Sequence, residues 1–274
     1  MAENARVPVK FDHPPVVEVA FGLTFSLNRP LQSAHFGSFW EKVRPDFPVV
    51  NDASPLQAIF ETSDSGATAP DFKVQVLEMP PLRRVWYAAK DGRQLIQLQA
   101  DRFFYNWKRV EDSDSYPGFE QIFSTFLKQS AAFAEFLGEM ELGLPKYSQL
   151  ELIYTNLIGQ GNGLNVVPPS RLLVDHIHQD SADRFLPQPE NFNWNSTYSL
   201  PDRLGRLYIN AQTARRISSS EPVVRLDAIA RGLPIDNTDL GRAKWFHLAH
   251  EWITQGFADA TVMSVQNEVW GRTT

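Results

Sequence analysis

Residues 16–27 read VVEVAFGLTFSL. The odd positions Val17, Val19, Phe21, Leu23, Phe25 and Leu27 are apolar, whereas the even positions after Val16 are Glu18, Ala20, Gly22, Thr24 and Ser26. Successive side chains of a strand point to opposite faces, so this alternation predicts a long strand with one apolar and one polar face. Gly22 stands in the middle of the polar side, where the missing side chain lets another group approach the backbone.

The stretch has an echo further along. Residues 149–158 (QLELIYTNLI) lie over 16–25 and pair Glu151 with Glu18 and Tyr154 with Phe21. Residues 205–212 (GRLYINAQ) lie over 92–99 (GRQLIQLQ) and pair Arg206 with Arg93, Asn210 with Gln97, and Gln212 with Gln99. Each set is followed by a long amphipathic helix, predicted over 119–137 and 240–262. Internal repetition decides how a fold is read. The fold expected is therefore α+β: tandem duplicated β-α-β(3–4)-α units that form one long antiparallel sheet with helices on one face. An extended lead-in covers 1–15, a first repeat 16–145 and a second 146–274, joined as one unit. The order resembles the saddle of TATA-box-binding protein, a likeness of layout that brings no function with it.

Between these landmarks, Ser33 opens a predicted helix with Phe36, Phe39, Trp40 and Val43 on one face, stopped by Pro45. Strands are expected over 56–62 and 72–77, separated by a loop over 63–71. Lys90-Asp91-Gly92 signals a hairpin joining strands at 83–89 and 93–99, because Asp-Gly supplies the positive φ angles of a tight turn. Further strands are expected at 103–109 and 223–231. The weakest region is 159–191, where SRLLVDHIHQ (170–179) reads either as the counterpart of the first helix or as an irregular insertion.

The 274 residues are 43% hydrophobic and 21% charged, an ordinary globular balance that argues against extended disorder. With no cysteine, disulfides and thiolate chemistry are excluded. The net charge of −6 disfavours wholesale wrapping of nucleic acid. No apolar run approaches the roughly 20 residues of a membrane span, and the first residues lack a signal core. A cytoplasmic protein with no membrane partner is the expectation.

If helices cover Phe103, Tyr105, Trp107, Leu207, Ile209 and Ala211, the alternate residues form an opposite, polar face. Its candidate binding residues are Glu18, Arg93, Gln97, Gln99, Arg102, Asn106, Glu151, Arg206, Tyr208, Asn210, Gln212 and Arg225. Arginines and side-chain amides suit carboxylates, phosphates, peptide backbone or base edges. The plain alternative is a solvated sheet face. The function expected is non-enzymatic binding of a protein or small polar ligand on this face, with no cofactor. A second reading makes Glu18 and Glu151 a close carboxylate pair in a sensor or enzyme. Each pairing instead with an arginine, such as Arg93 or Arg206, is the blander expectation. Nucleic-acid binding on the face is third.

Other motifs carry less. His247 and His250 stand at i, i+3 in place of the i, i+4 spacing of a zinc-protease helix, so His247 with Glu251 is expected as an exposed pair. Asp175-His176-Ile177-His178 lacks a third ligand. Gly159-Gln160-Gly161-Asn162-Gly163 opens no helix and reads as a loop rather than a phosphate cradle. There is no nucleophile elbow and no Walker sequence.

Several phrases together carry a family resemblance: HPPVVEVAFGLTF (13–25), HFGSFWEKVRPDFP (35–48), GRQLIQLQADRFFYNWKRV (92–110), FNWN (192–195), LDAIARG (226–232), AHEWITQGFADAT (249–261) and the terminal Trp270-Gly271-Arg272. The chain is similar over nearly its whole length to a sporadically distributed bacterial family of uncharacterised proteins. The resemblance brings no activity and no catalytic residues, and implies an accessory role of the defence or toxin–antitoxin kind.

Overall fold

The opening stretch forms β1 (Val16–Ser26) and its echo forms β6 (Lys146–Ile158), two antiparallel strands hydrogen-bonded to each other. The computed structural model describes residues 9–56, 83–176, 185, 189–216, 219–236 and 238–273. Besides this pair the strands are β2 (Val49–Ala53), β3 (Arg84–Ala88), β4 (Gln94–Gln99), β5 (Arg102–Lys108), β7 (Asn193–Ser199), β8 (Arg206–Arg215) and β9 (Pro222–Gly232). All belong to one sheet in the order β2-β3-β4-β5-β1-β6-β9-β8-β7, and every pairing is antiparallel. The fold is α+β with one long sheet.

Helices α1 (Ser33–Val43), α2 (Phe119–Glu139) and α3 (Asp239–Ala260) pack on one side, and a short α4 (Met263–Glu268) follows. Val19, Phe21, Leu23 and Phe25 of β1 join Leu150, Leu152 and Tyr154 of β6 in the core between sheet and helices. Phe103, Tyr105, Trp107, Leu207, Ile209 and Ala211 are buried there as expected. Phenylalanine dominates: Phe21 lies against Phe119, Phe123, Phe126 and Phe246, with ring centroids 4.9–5.8 Å apart. Aromatic pairs at such distances add to the burial of their area.

The hairpin at 90–92 is present, with Gly92 at φ +73°. Gln32, not Ser33, caps α1, because the His35 ring nitrogen accepts a hydrogen bond from the Gln32 backbone at 2.9 Å. Strands β2 and β7 were not expected. β7 reads NWNSTYS and β2 reads VVNDA with both valines 43% exposed, so neither carries a buried apolar stripe that periodicity would detect. The strands expected at 56–62 and 72–77 fall outside the described residues except for Leu56, which is irregular. Where a second counterpart of α1 was one option, residues 160–176 contain three single turns of 3-10 helix, and Ile177 and His178 lie outside the described residues.

The lead-in is not merely extended. Asp12 and His13 donate backbone hydrogen bonds to Gly271 and Trp270 carbonyls at 3.1 and 3.0 Å, and Thr273 donates to Lys10 at 2.9 Å. Trp270 is fully buried and its indole nitrogen donates to the Asn162 carbonyl at 2.8 Å, so the glycine loop at 159–163 holds the C-terminal segment.

Candidate functional site

Strand register determines which polar side chains can meet. One row crosses the whole sheet: Asn51, Trp86, Gln97, Phe104, Gly22, Glu151, Arg231, Arg206 and Ser199 stand opposite one another in turn. A second row runs from Lys108 through Glu18, Thr155, Asp227 and Asn210 to Asn195. Both rows lie on the side away from the helices.

This face is not the open, solvated surface that alternation alone suggested. Thr24, Arg102, Phe104, Asn106, Gln149 and Glu151 are all buried. Phe104 explains part of it. A Cβ at Gly22 would stand 2.4 Å from a Phe104 ring carbon, so the ring lies directly on the glycine backbone. Around it remains a hollow of about 290 Å³ lined by Glu18, Gln97, Arg102, Asn106, Glu151 and Arg225 from the candidate set. Its lining also includes Ala20, Leu56, Arg84, Phe104, Ile153, Thr155 and Arg231.

Two hydrogen-bonded networks furnish the hollow. In the first, Arg84 Nη1 donates to Gln97 Oε1 at 3.0 Å, and the Trp86 indole donates to the same oxygen at 3.1 Å. Gln97 Nε2 donates to Asn106 Oδ1 at 2.8 Å, and Asn106 Nδ2 donates to Glu18 Oε1 at 2.6 Å. Lys108 Nζ stands 3.7 Å from the same carboxylate. In the second network, Glu151 accepts from Gln149 at 3.1 Å and from Arg231 Nε at 2.7 Å. Asp227 accepts from Thr155 at 2.8 Å and from Arg225 Nε at 2.8 Å.

The expected carboxylate pair does not form. β1 and β6 do pair at the centre, but Glu18 stands opposite Thr155 while Glu151 stands opposite Gly22. Four residues of strand separate them, roughly 13 Å at about 3.3 Å per residue. Nor does either carboxylate choose the expected arginine. Glu151 takes Arg231, and Glu18 takes Asn106 and Lys108.

Arg93 is in phase with the polar face but committed elsewhere. Its guanidinium donates to both oxygens of Asp114 at 2.7–3.1 Å and reaches Asp91 at 3.4 Å. Asp114 also accepts the backbone N–H groups of Val110 and Glu111. Arg93 first, then these amides, hold the Asp114 carboxyl well below the usual carboxylate range. Arg93 thus ties the β3–β4 turn to the loop before α2. Gln99 binds the Leu56 backbone in both directions, at 2.8 and 3.2 Å. Arg206, Tyr208, Asn210 and Gln212 lie on β8, off the hollow; Tyr208 faces the Arg231 guanidinium at 5.7 Å.

Arg84 is a site residue that sequence reading missed. The strand that carries it, RVWYA, shows no charge pattern of its own. Arg84 stacks on Trp86 at 5.3 Å, its Nε is buried without a hydrogen-bond partner, and burial lowers its pKa. Among the described residues no carboxylate lies within ion-pair distance of it.

On the helical side His247 pairs with Glu120 of α2 at 3.7 Å rather than with Glu251. His250 turns inward, stacks on Phe119 at 4.1 Å, and shares a hydrogen bond of 3.1 Å with the Tyr154 hydroxyl. No group of three or more acidic or histidine side chains among the described residues is arranged to hold a metal. No described helix is long and apolar enough to cross a membrane. Compared with protein-family models, curated proteins and solved structures, the chain matches none.

Proposed function

We propose that this is a binding protein, acting without catalysis, that holds a small acidic ligand bearing a carboxylate or phosphate in the hollow of its polar sheet face. The observation that carries the reading is charge. Four arginines (Arg84, Arg102, Arg225 and Arg231) line the hollow against two carboxylates (Glu18 and Glu151). Glu18 is matched by Lys108, Glu151 by Arg231, Asp227 by Arg225, and Arg102 stands 3.7 Å from Asp101, which leaves Arg84 without a carboxylate among the described residues. A half-buried guanidinium whose Nε has no hydrogen-bond partner has lost part of its hydration, and an incoming anion would restore what burial removed. Arginine's planar fork suits carboxylate and phosphate oxygens in particular.

The same reading includes a duplicated origin, with units over 16–145 and 146–274. Register supports it. Glu18 lies between Thr155 and Lys108, and Glu151 lies between Gly22 and Arg231, so each acidic residue meets a cation on the strand that flanks it. Gly22 opposite Phe104 then corresponds to Thr155 opposite Asp227, which makes the glycine the point where the halves diverge and the hollow becomes one-sided. An accessory cellular role accords with such a ligand-holding protein.

Calorimetric titration with succinate and with inorganic phosphate tests the binding reading. Saturable binding of at least one anion is expected, weakened about tenfold in R84Q, as loss of a charged hydrogen bond implies. The neighbouring R83Q serves as control, because Arg83 is exposed and bound to Asp52 at 3.0 Å. Absence of anion binding, or equal weakening in both variants, would remove the basis of the proposal.

A further inference from the structure

A larger cavity lies on the helical side of the sheet, about 630 Å³, within the usual size of a small-molecule site. Its walls are mostly apolar: Phe11, Val16, Phe119, Ile253 and Phe257 among them. The N-terminal wall is fixed in place. Phe11 packs edge-on against Phe257 at 5.6 Å and Trp270 at 6.1 Å, and residues 10–13 are hydrogen-bonded to the C-terminal segment. Little ordering is therefore needed before something binds there.

One polar cluster interrupts the apolar lining. The Tyr154 hydroxyl lies 2.9 Å from the Tyr116 hydroxyl and 3.1 Å from His250 Nδ1, and all three residues line the cavity. Burial raises the pKa of Tyr116 to about 12, raises Tyr154 well above its ordinary value, and lowers His250 to about 4. At neutral pH the cluster is therefore uncharged. Two hydroxyls and one neutral imidazole own three donors, but the cluster contains only two hydrogen bonds. One donor is left over whichever way the protons run. If Tyr116 donates to Tyr154 and Tyr154 to His250, the spare donor is His250 Nε2–H, which has no protein partner among the described residues. If the chain runs the other way, the spare donor is the Tyr116 hydroxyl.

We propose that this cavity is a second, separate binding site for a small, largely apolar, uncharged molecule whose carbonyl oxygen accepts the spare donor of the Tyr116–Tyr154–His250 cluster. The charge of the lining favours an uncharged occupant over an anion, because Asp12 and Glu120 outnumber Lys10. The occupant thus differs in class from the acidic ligand of the sheet hollow, and the two sites stand on opposite faces of the sheet.

Three matched probes test it: acetophenone, ethylbenzene of nearly the same shape without the oxygen, and benzoate with a charge. Binding is followed by the imidazole nitrogen signals of His250 and by the melting temperature. Acetophenone should shift the His250 signals saturably and bind about fivefold to tenfold more tightly than either of the others, the worth of one buried hydrogen bond. The triple variant Y116F/Y154F/H250F removes every donor of the cluster and should abolish the preference over ethylbenzene. Should that variant fail to fold, the comparison of the three probes on the unaltered protein still decides. No saturable shift up to the solubility limit, equal affinity for ethylbenzene, or tighter binding of benzoate overturns the proposal. Binding of succinate or phosphate in the sheet hollow should be unaffected by acetophenone, so the two proposals fail separately.

Discussion

Phe21 and Tyr154 occupy matched positions of the two central strands under the proposed duplication, yet their surroundings differ in kind. Phe21 is completely buried among four phenylalanine rings from α2 and α3. Tyr154 is nearly as buried, at 4% exposure, but its hydroxyl joins Tyr116 and His250 beside a cavity. The polar face shows the same contrast. There Phe104 lies over Gly22 in the first half, whereas Thr155 donates to Asp227 in the second. Under that proposal, one frame carries an apolar and a polar version of the same position on each side of the sheet. Both candidate ligand sites lie where the versions differ.

The sharpest way to test the first contrast is truncation. Phe21→Ala should destabilise the fold by about 3–5 kcal/mol, the usual effect of emptying a packed aromatic site. Tyr154→Phe keeps the ring and removes one hydroxyl, so about 1–2 kcal/mol is expected. Urea unfolding of the two variants checks the ratio. Equal losses would mean that the Tyr154 hydroxyl is as important to the core as the whole Phe21 ring.

The matched ion pairs offer a second comparison. Arg231 and Glu151 are 15% and 7% exposed at their side chains, whereas Lys108 and Glu18 are 35% and 31% exposed. Removing Arg231 as R231M strands a buried carboxylate, and about 3 kcal/mol is expected. K108M leaves a partly solvated one still bonded to Asn106, and less than about 1 kcal/mol is expected. Denaturant midpoints of both variants make the comparison. If R231M proved as mild as K108M, the buried pairing would have no structural weight.

Acid sensitivity comes next. His250 is held from its ordinary 6.5 down to about 4, first by burial and then by His247. The groups facing it are Phe119 from α2, Tyr154 from β6 and His247 on its own helix, and Glu120 pairs with that second histidine. Below pH 6.5 the unfolded chain takes up a proton that folded His250 refuses, so stability is fully present above that pH and falls toward pH 4. The loss is at most about 3 kcal/mol. H250F should flatten this part of the pH–stability curve, and an unchanged slope would assign the acid sensitivity elsewhere.

Much of the fold was legible because alternation and helical spacing are strong where one face is buried. β1, β4, β5, β8 and β9, with α2 and α3, fall close to their expected spans for that reason. β2 and β7 escaped because their residues are mostly exposed or polar and leave no periodic trace. The site was legible by face and not by contact. Alternation placed Gln97, Asn106 and Glu151 on one side, but their partners depend on register between strands distant in sequence. Register separates Glu18 from Glu151, and a distant loop carboxylate, Asp114, commits Arg93 to an ion pair away from the hollow. Arg84 was overlooked, and His250 was weighed only as a zinc-helix ligand, because their importance comes from neighbours that no local pattern names.

The central claim, an acidic ligand in the hollow beside Gly22 and Phe104, is tested most directly by the arginine Nε–H resonances during a succinate titration. The Arg84 signal should shift saturably, while Arg93, clasped by both oxygens of Asp114, should stay in place. A silent Arg84, or all arginine signals drifting together without saturation, would contradict it.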